Sequence, residues 1–288
     1  MVIARFFRHL RLPFQFILAP VFLLGYCLTG ASPDFPFLIL FLLLHVGIYG
    51  GMTAYNSAYD QDEGPIGGMK YPPKAGAWER IGGLGIQILS VAALAFWGWR
   101  MALLGLALLL MGVAYSHPRW RWKAYPLGSL LTVTIGQGLL PFFMGVEASA
   151  GHLTEVGLWE TLFLAGTSAL IITGLYPLTQ VYQIEEDRKR GDRTFAVRFG
   201  PDRVFLLTRL LVGAGLLLLA YILLTGSVFH SFWIWVLPVG YGGFWFAVRA
   251  WSQRFRKQTP YQNHDWAFGI SLGMSGLLWA FLIAEFVY

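Results

Sequence analysis

The chain has 288 residues, 56% of them hydrophobic and only 12% charged, with a formal net charge of +6. Ordinary soluble domains carry about 25% charged residues, so this composition excludes a water-soluble globule and makes lipid the solvent for much of the chain. One cysteine, Cys27, excludes an intrachain disulfide, and the six histidines at 9, 45, 117, 152, 230 and 264 show no metal-ligand spacing.

The opening RFFRHLRLPFQFILAPVFLLG has the basic start and apolar run of a signal peptide. Many more apolar runs follow, so it reads as the first membrane span. A span needs about 20 apolar residues, and the sequence predicts nine: 12–30, 36–56, 81–98, 100–116, 126–146, 158–182, 204–224, 232–250 and 266–287. The expected fold is therefore an all-α polytopic membrane protein, a bundle of nine transmembrane helices with cytoplasmic cap loops. It forms a single transmembrane domain over 1–288. The stripes Gly47-xxx-Gly51 and Gly269-xxx-Gly273 have the spacing of close helix contacts.

Basic residues fall almost wholly on one side of this layout. The N-terminus and the loops after spans 2, 4, 6 and 8, with Arg209 just inside span 7, hold 20 of the 21 Lys and Arg, and only Arg100 lies opposite. That bias assigns those loops and the N-terminus to the cytoplasm and the C-terminus to the outside of a plasma (inner) membrane. It also accounts for the net charge without a nucleic-acid partner. Connections such as GASPD and TGSVFHS leave no room for an outer domain, whereas 57–80 and 183–203 are long enough to carry function.

Both long loops open on oxygen-rich clusters. In AYNSAYDQDEGPIGG, Asn56 and Asp60 are four apart and share a helix face, with Glu63 three further on. Asp62 points elsewhere unless the helix has already ended, as Gly64-Pro65 suggests. In VYQIEEDRKRGDRTFAVRFG, Gln183 and Asp187 repeat the four-residue spacing, with Glu186 beside them and Asp192 following. Hard oxygens suit Mg²⁺, which is commonly held by one or two carboxylates plus substrate phosphates. Two such clusters at one membrane face can hold metal on both sides of a diphosphate. A third element, YSHPRWRWK, supplies Tyr115, Arg121 and Lys123, the last two of a type that binds phosphate oxygens strongly. Solvated helix ends and ordinary positive-inside charge are the plain alternatives for each element alone.

Together the three elements resemble the UbiA superfamily of intramembrane prenyltransferases. The likeness rests on Asn56-xxx-Asp60, on Tyr115-Ser116-x-Pro118-xx-Arg121-x-Lys123, and on Asp187-xxx-Gly191-xx-Thr194-xxx-Arg198-x-Gly200, each after an even-numbered span. Two positions depart from the family pattern. Gly64 stands where the first motif usually ends in a second Asp, with Asp62 or Glu63 as substitutes. Gln183 stands where the second motif begins with Asp, with Glu186 or Glu185 as substitutes.

The resemblance implies Mg²⁺-dependent transfer of an isoprenyl group from a prenyl diphosphate to a small aromatic or lipid acceptor. Asp60, Asp187 and Lys123 would be catalytic, and Tyr115, Arg121, Lys123, Lys70 and Arg188 would face the diphosphate. Metal ligands would come from Asn56, Asp60, Asp62, Glu63, Gln183, Glu186, Asp187 and Asp192, and Arg11 would meet an acidic acceptor. A terpene cyclase would use the same ionisation and need no acceptor. A transporter would place its charges at mid-membrane, where these spans lack Asp, Glu, Lys and Arg.

Overall fold

The structure, a computed structural model, describes every residue except 1, 29–30, 32, 150–156, 226–228, 230–231 and 288. The expected connections 30–34 and 225–231 fall largely outside the described residues, as do His152 and His230. Among the described residues there is no strand. Eight helices are long and apolar enough to cross a membrane: α1 Val2–Cys27, α2 Phe35–Asp60, α3 Ala77–Trp97, α4 Trp99–Ser116, α5 Pro126–Ala148, α6 Leu158–Val181, α7 Pro201–Thr225 and α9 Pro260–Glu285. The remaining expected span is the helix α8, Trp233–Arg254. Its Gly240, Gly242, Gly243 and Arg249 leave it less apolar than the other eight.

Helix ends differ from the sequence expectation where local backbone chemistry intervenes. α1 begins ten residues early, as a short helix Val2–His9. It breaks at Arg11, whose φ of 50° is left-handed, and resumes at Leu12 with Pro13 in the first turn, where a missing N–H costs nothing. The α6 helix is interrupted after Leu175 and restarts at Leu178, because Pro177 has no N–H to donate to the ladder.

The bundle is assembled around α1. In its most apolar stretch 78% of residues are buried, against 22% in α3, which therefore faces outward. Close backbone approach explains the tight pairings. A Cβ on Gly25 of α1 would strike the Phe142 carbonyl of α5, and one on Gly145 of α5 would strike the Phe22 carbonyl of α1. The Gly47-xxx-Gly51 stripe packs on α3, with Gly51 against the Gly83 carbonyl. Gly269 and Gly273, expected to mediate a similar contact, have nothing within 4 Å of an added Cβ and line an open groove between α8 and α9.

Two helices carry wide π-helical turns, Leu43–Gly50 in α2 and Thr134–Leu139 in α5. They are joined by a hydrogen bond from the Tyr49 hydroxyl to the Gly136 carbonyl, 2.6 Å long and buried. Such turns are rare and occur often beside functional sites. Both border the cavity described next.

Candidate active site

The charged ends of α2, α4 and α6 converge on one cavity. At the end of α2 the helix stops at Asp60, because Gln61 takes a left-handed φ of 52° and its N–H closes on Ser57 O. That reversal turns Asp62 back beside Asp60, although a continuous helix would have pointed it away. One turn earlier, Asn56 spends its amide N–H on Ser116 Oγ at 3.1 Å, which leaves its carbonyl oxygen for the cavity.

Beyond α4 the chain turns at Arg121, again left-handed with φ 39°, into the 3₁₀ turn Trp122–Ala124. This buries Lys123, whose ammonium donates to Asp60 Oδ2. Arg121 forks onto both oxygens of Asp192 at 2.7 and 2.8 Å and lies 3.4 Å from Asp60 Oδ1. Arg11, Gln61 and Arg121 are the three non-glycine residues with positive φ among the described residues, and all three lie at this end of the bundle. Unusual backbone of this kind clusters at functional sites.

Beyond α6, Asp187 N–H bonds to Gln183 O at 2.8 Å, so the predicted four-residue pair does share a helical turn. The short helix Ile184–Arg190 ends on Gly191, whose φ of 81° suits glycine. Asp192 is folded back, its N–H on Asp187 O at 2.9 Å. Thr194 donates to Asp187 Oδ2 at 3.1 Å. The Arg190 guanidinium sits at the centre of this group, 2.5 Å from Asp62 Oδ1, 2.7 Å from Asp187 Oδ1 and 3.5 Å from Asp192 Oδ2. It also donates to the Asp60 carbonyl at 3.1 Å.

Of the residues singled out in the sequence, Arg11, Asn56, Asp60, Asp62, Tyr115, Lys123, Gln183, Asp187 and Asp192 line this cavity, and Arg121 braces it from Asp192. The other four lie away from it. Lys70 is paired with Asp265 at 2.6 Å, and Arg188 with Glu185 at 2.8 Å on an exposed surface. Glu63 is exposed, and its N–H donates to Glu186 Oε1 at 2.7 Å. Glu186 thus clamps the loop after α2 to the loop after α6.

Sequence reasoning missed Arg190, Tyr176 and Gln180, and gave Thr194 only as a motif position. The Tyr176 hydroxyl shares a 2.8 Å hydrogen bond with that of Tyr115 and accepts one from Gln180 Nε2 at 2.9 Å. Arg190 was hidden among the many positive-inside charges. The proline after Tyr176 was a readable signal of an interrupted helix exposing polar groups.

The cavity is divided by polarity. Its mouth holds the ion pairs, and its depth is walled by Met52, Leu108, Met111, Val133 and the ring of Tyr49. Burial raises the Asp187 carboxyl to about 6, since the single guanidinium it shares with Asp62 does not offset the lost hydration. Arg190 is itself partly desolvated, yet Asp62, Asp60 and Asp187 hold it well above the usual guanidinium range. The hydrogen bond to Asp192 raises Arg121.

The donor set suits a hard divalent cation. Asp60 Oδ1 is buried and accepts no hydrogen bond, and the amide oxygens of Asn56 and Gln183 are ligands of the same hard class. Among the described residues no three His, Cys, Asp or Glu side chains converge on one point. One or two carboxylates at a time, completed by substrate oxygens, is the usual arrangement for Mg²⁺.

A cavity with a charged mouth and an apolar depth, set among membrane-crossing helices, defines a site for an amphipathic substrate. Residues 18–269 match the UbiA prenyltransferase family, and the chain belongs to it; it is an integral membrane protein. A solved UbiA homologue from Archaeoglobus fulgidus bound to GPP and Mg²⁺ superposes with a TM-score of 0.74 over 99% of this chain and 100% of that one, at 19% identity. The lycopene elongase/hydratase of Haloferax volcanii is 31% identical over 126 residues, 42% of this chain and 36% of that protein. The 2-acylphloroglucinol 4-prenyltransferase of Humulus lupulus is 32% identical over 116 residues, 40% of this chain and 27% of that protein. The chain thus spans about a third of the length of these curated relatives.

Proposed function

We propose that this chain transfers an isoprenyl group from a prenyl diphosphate to an electron-rich aromatic acceptor within the membrane, in a Mg²⁺-dependent reaction. The observation that carries this reading is the polarity of one cavity: ion-paired carboxylates and cations at the mouth, Met, Leu and Val in the depth. An ionic head and a hydrocarbon tail fit it in one orientation. The distribution of Lys and Arg supports a cytoplasmic mouth.

Mg²⁺ would be held by Asp60 with Asn56, across the cavity from Asp187, Gln183 and Asp192, where it supplies charge neutralisation for the departing diphosphate. Lys123 is the mobile donor. Its flexible stem can leave Asp60 for a phosphate oxygen while a buried carboxylate remains to be neutralised. Arg121 and Thr194 keep Asp192 and Asp187 oriented. The allylic C–O bond breaks and its electron pair leaves with the diphosphate. Positive charge on the allyl carbons is sheltered from water by the apolar wall. It is stabilised by the faces of Tyr49, Tyr115 and Tyr176, at about 0.5–2 kcal/mol for a well-placed ring. The acceptor carbon supplies the new C–C bond and then loses a proton, which a diphosphate oxygen can take.

Arg11 is the residue for an acidic group on the acceptor. It is 8% exposed, donates to Ser57 Oγ at 2.7 Å, and forms no ion pair among the described residues. The test is turnover of a radiolabelled prenyl diphosphate by the purified chain, with Mg²⁺ or EDTA, against a panel of aromatic acceptors and a no-acceptor control. Metal-dependent label on one acceptor is expected. Metal-dependent cyclic product without acceptor would replace transfer with cyclisation, and no conversion with any tail length would remove the enzymatic reading.

A further inference from the structure

The two carboxylate clusters are not equally ready for a metal. Around Asp60 there is a buried oxygen with no hydrogen bond, an adjacent amide carbonyl on Asn56, and a lysine as the close partner, with the Arg121 guanidinium farther off at 3.4 Å and committed to Asp192. Around Asp187 the space between the acids is already filled. Arg190 reaches Asp62 Oδ1, Asp187 Oδ1, Asp192 Oδ2 and the Asp60 carbonyl. Four oxygens from two loops therefore face one cation that the chain carries itself. Its side chain is 19% exposed, and those of Asp62, Asp187 and Asp192 are 4%, 8% and 4% exposed. The carboxylates face guanidinium nitrogens rather than a shared point.

The cavity wall adds little further negative charge at the same place. Gln183 gives an amide where a carboxylate would be needed to hold a second dication against Arg190. A planar fork fixed by two loops, with its counter-charges buried, is not readily exchanged for an ion that dehydrates reluctantly and demands octahedral oxygen.

Building on the prenyl diphosphate reading above, we propose that Arg190 is the resident cation of the Asp62–Asp187–Asp192 cluster. A prenyl diphosphate then binds this chain with one divalent ion, at Asn56 and Asp60, instead of one at each cluster. The guanidinium presents its remaining N–H groups to the diphosphate and does in the second cluster, by charge, what a metal would do.

The test is a binding count, independent of turnover. The full chain in lipid nanodiscs is given a saturating unreactive prenyl thiolodiphosphate, and bound Mn²⁺ is counted by electron paramagnetic resonance. In parallel, analogue affinity is measured by calorimetry as Mg²⁺ is varied. The wild type is expected to bind one Mn²⁺ with a log–log Mg²⁺ slope of one. Arg190→Gln, with the cluster vacated, is expected to bind two with a slope of two, and Arg190→Lys to remain at one. Two Mn²⁺ in the wild type, or none with analogue bound, overturns the proposal and leaves the prenyl diphosphate reading standing. Failure of the wild type to bind any analogue at any Mg²⁺ concentration overturns that reading instead. If Arg190→Gln does not fold, the wild-type count decides alone.

Discussion

The loop after α2 and the loop after α6 carry carboxylates at matching positions in the bundle, yet they are neutralised in different ways. Asp60 is met mainly by Lys123, a point charge on a flexible stem from a third loop. Asp187 is met by Arg190 three residues along its own helix, a rigid fork that also holds Asp62 and Asp192. A lysine can yield its carboxylate and follow a phosphate, whereas a multiply held arginine stays. The contrast shows that similar four-residue spacings can leave one carboxylate with a flexible partner and another with a fixed one.

The largest effect separates the pair from everything around it. Asp60→Ala and Asp187→Ala are each expected to lower turnover by about 10²–10³-fold, the scale for removing a preorganised electrostatic group, measured as labelled product per chain at saturating Mg²⁺. Equal, near-wild-type rates would remove both clusters from the reaction. Stability should then distinguish the two. Asp60→Ala strands the buried ammonium of Lys123, for about 3–5 kcal/mol, while after Asp187→Ala the guanidinium keeps Asp62 and Asp192. Thermal unfolding in nanodiscs should show a clearly larger fall in Tm for Asp60→Ala.

A third test uses pH. The Asp187 carboxyl sits at about 6 in the fold against an ordinary 3.8, so between those values the native state binds more protons than the unfolded chain. Stability from this residue therefore falls as pH rises from about 4 to about 6. The Tm of wild type relative to Asp187→Asn should decline over that window and level off above it. A flat difference would mean that Arg190 fully compensates burial. The smallest effect is expected from Lys70→Ala and Arg188→Ala, which should leave turnover within about twofold, because surface ion pairs contribute little. A tenfold loss in either would bring that side chain into the cavity during catalysis.

Much of this was legible in the sequence because lipid imposes simple rules. Runs of apolar residues gave the helices, and the one-sided Lys and Arg gave a consistent layout. The four-residue spacings of Asn56 with Asp60 and of Gln183 with Asp187 predicted shared faces that the structure contains. What escaped depended on single backbone reversals and on contacts distant in sequence. Whether Asp62 or Glu63 joins Asp60 turns on Gln61 adopting a left-handed φ. Glu186 was read as a possible metal ligand, but its oxygens accept backbone N–H groups 122 and 123 residues away. Arg190 was indistinguishable from its basic neighbours until the fold placed Asp62 beside it. The glycines of α9 show the converse, a spacing that suggested contact where there is open space.

The paired wide turns in α2 and α5 carry a consequence for how this bundle tolerates change in chain length. An ordinary α-helix advances about 100° per residue, and a π turn absorbs an extra residue without interrupting the helix. The segment Leu43–Gly50 is therefore where α2 can lose a residue with little change of phase downstream. Deleting one residue there would let α2 relax to regular geometry with Asn56 and Asp60 close to their present face, whereas a deletion in the regular turns that follow would rotate Asp60 by about 100° away from Lys123. The first deletion would be felt instead at the turn itself, where Tyr49 reaches the Gly136 carbonyl. The wide turn thus holds a spare residue upstream of the motif.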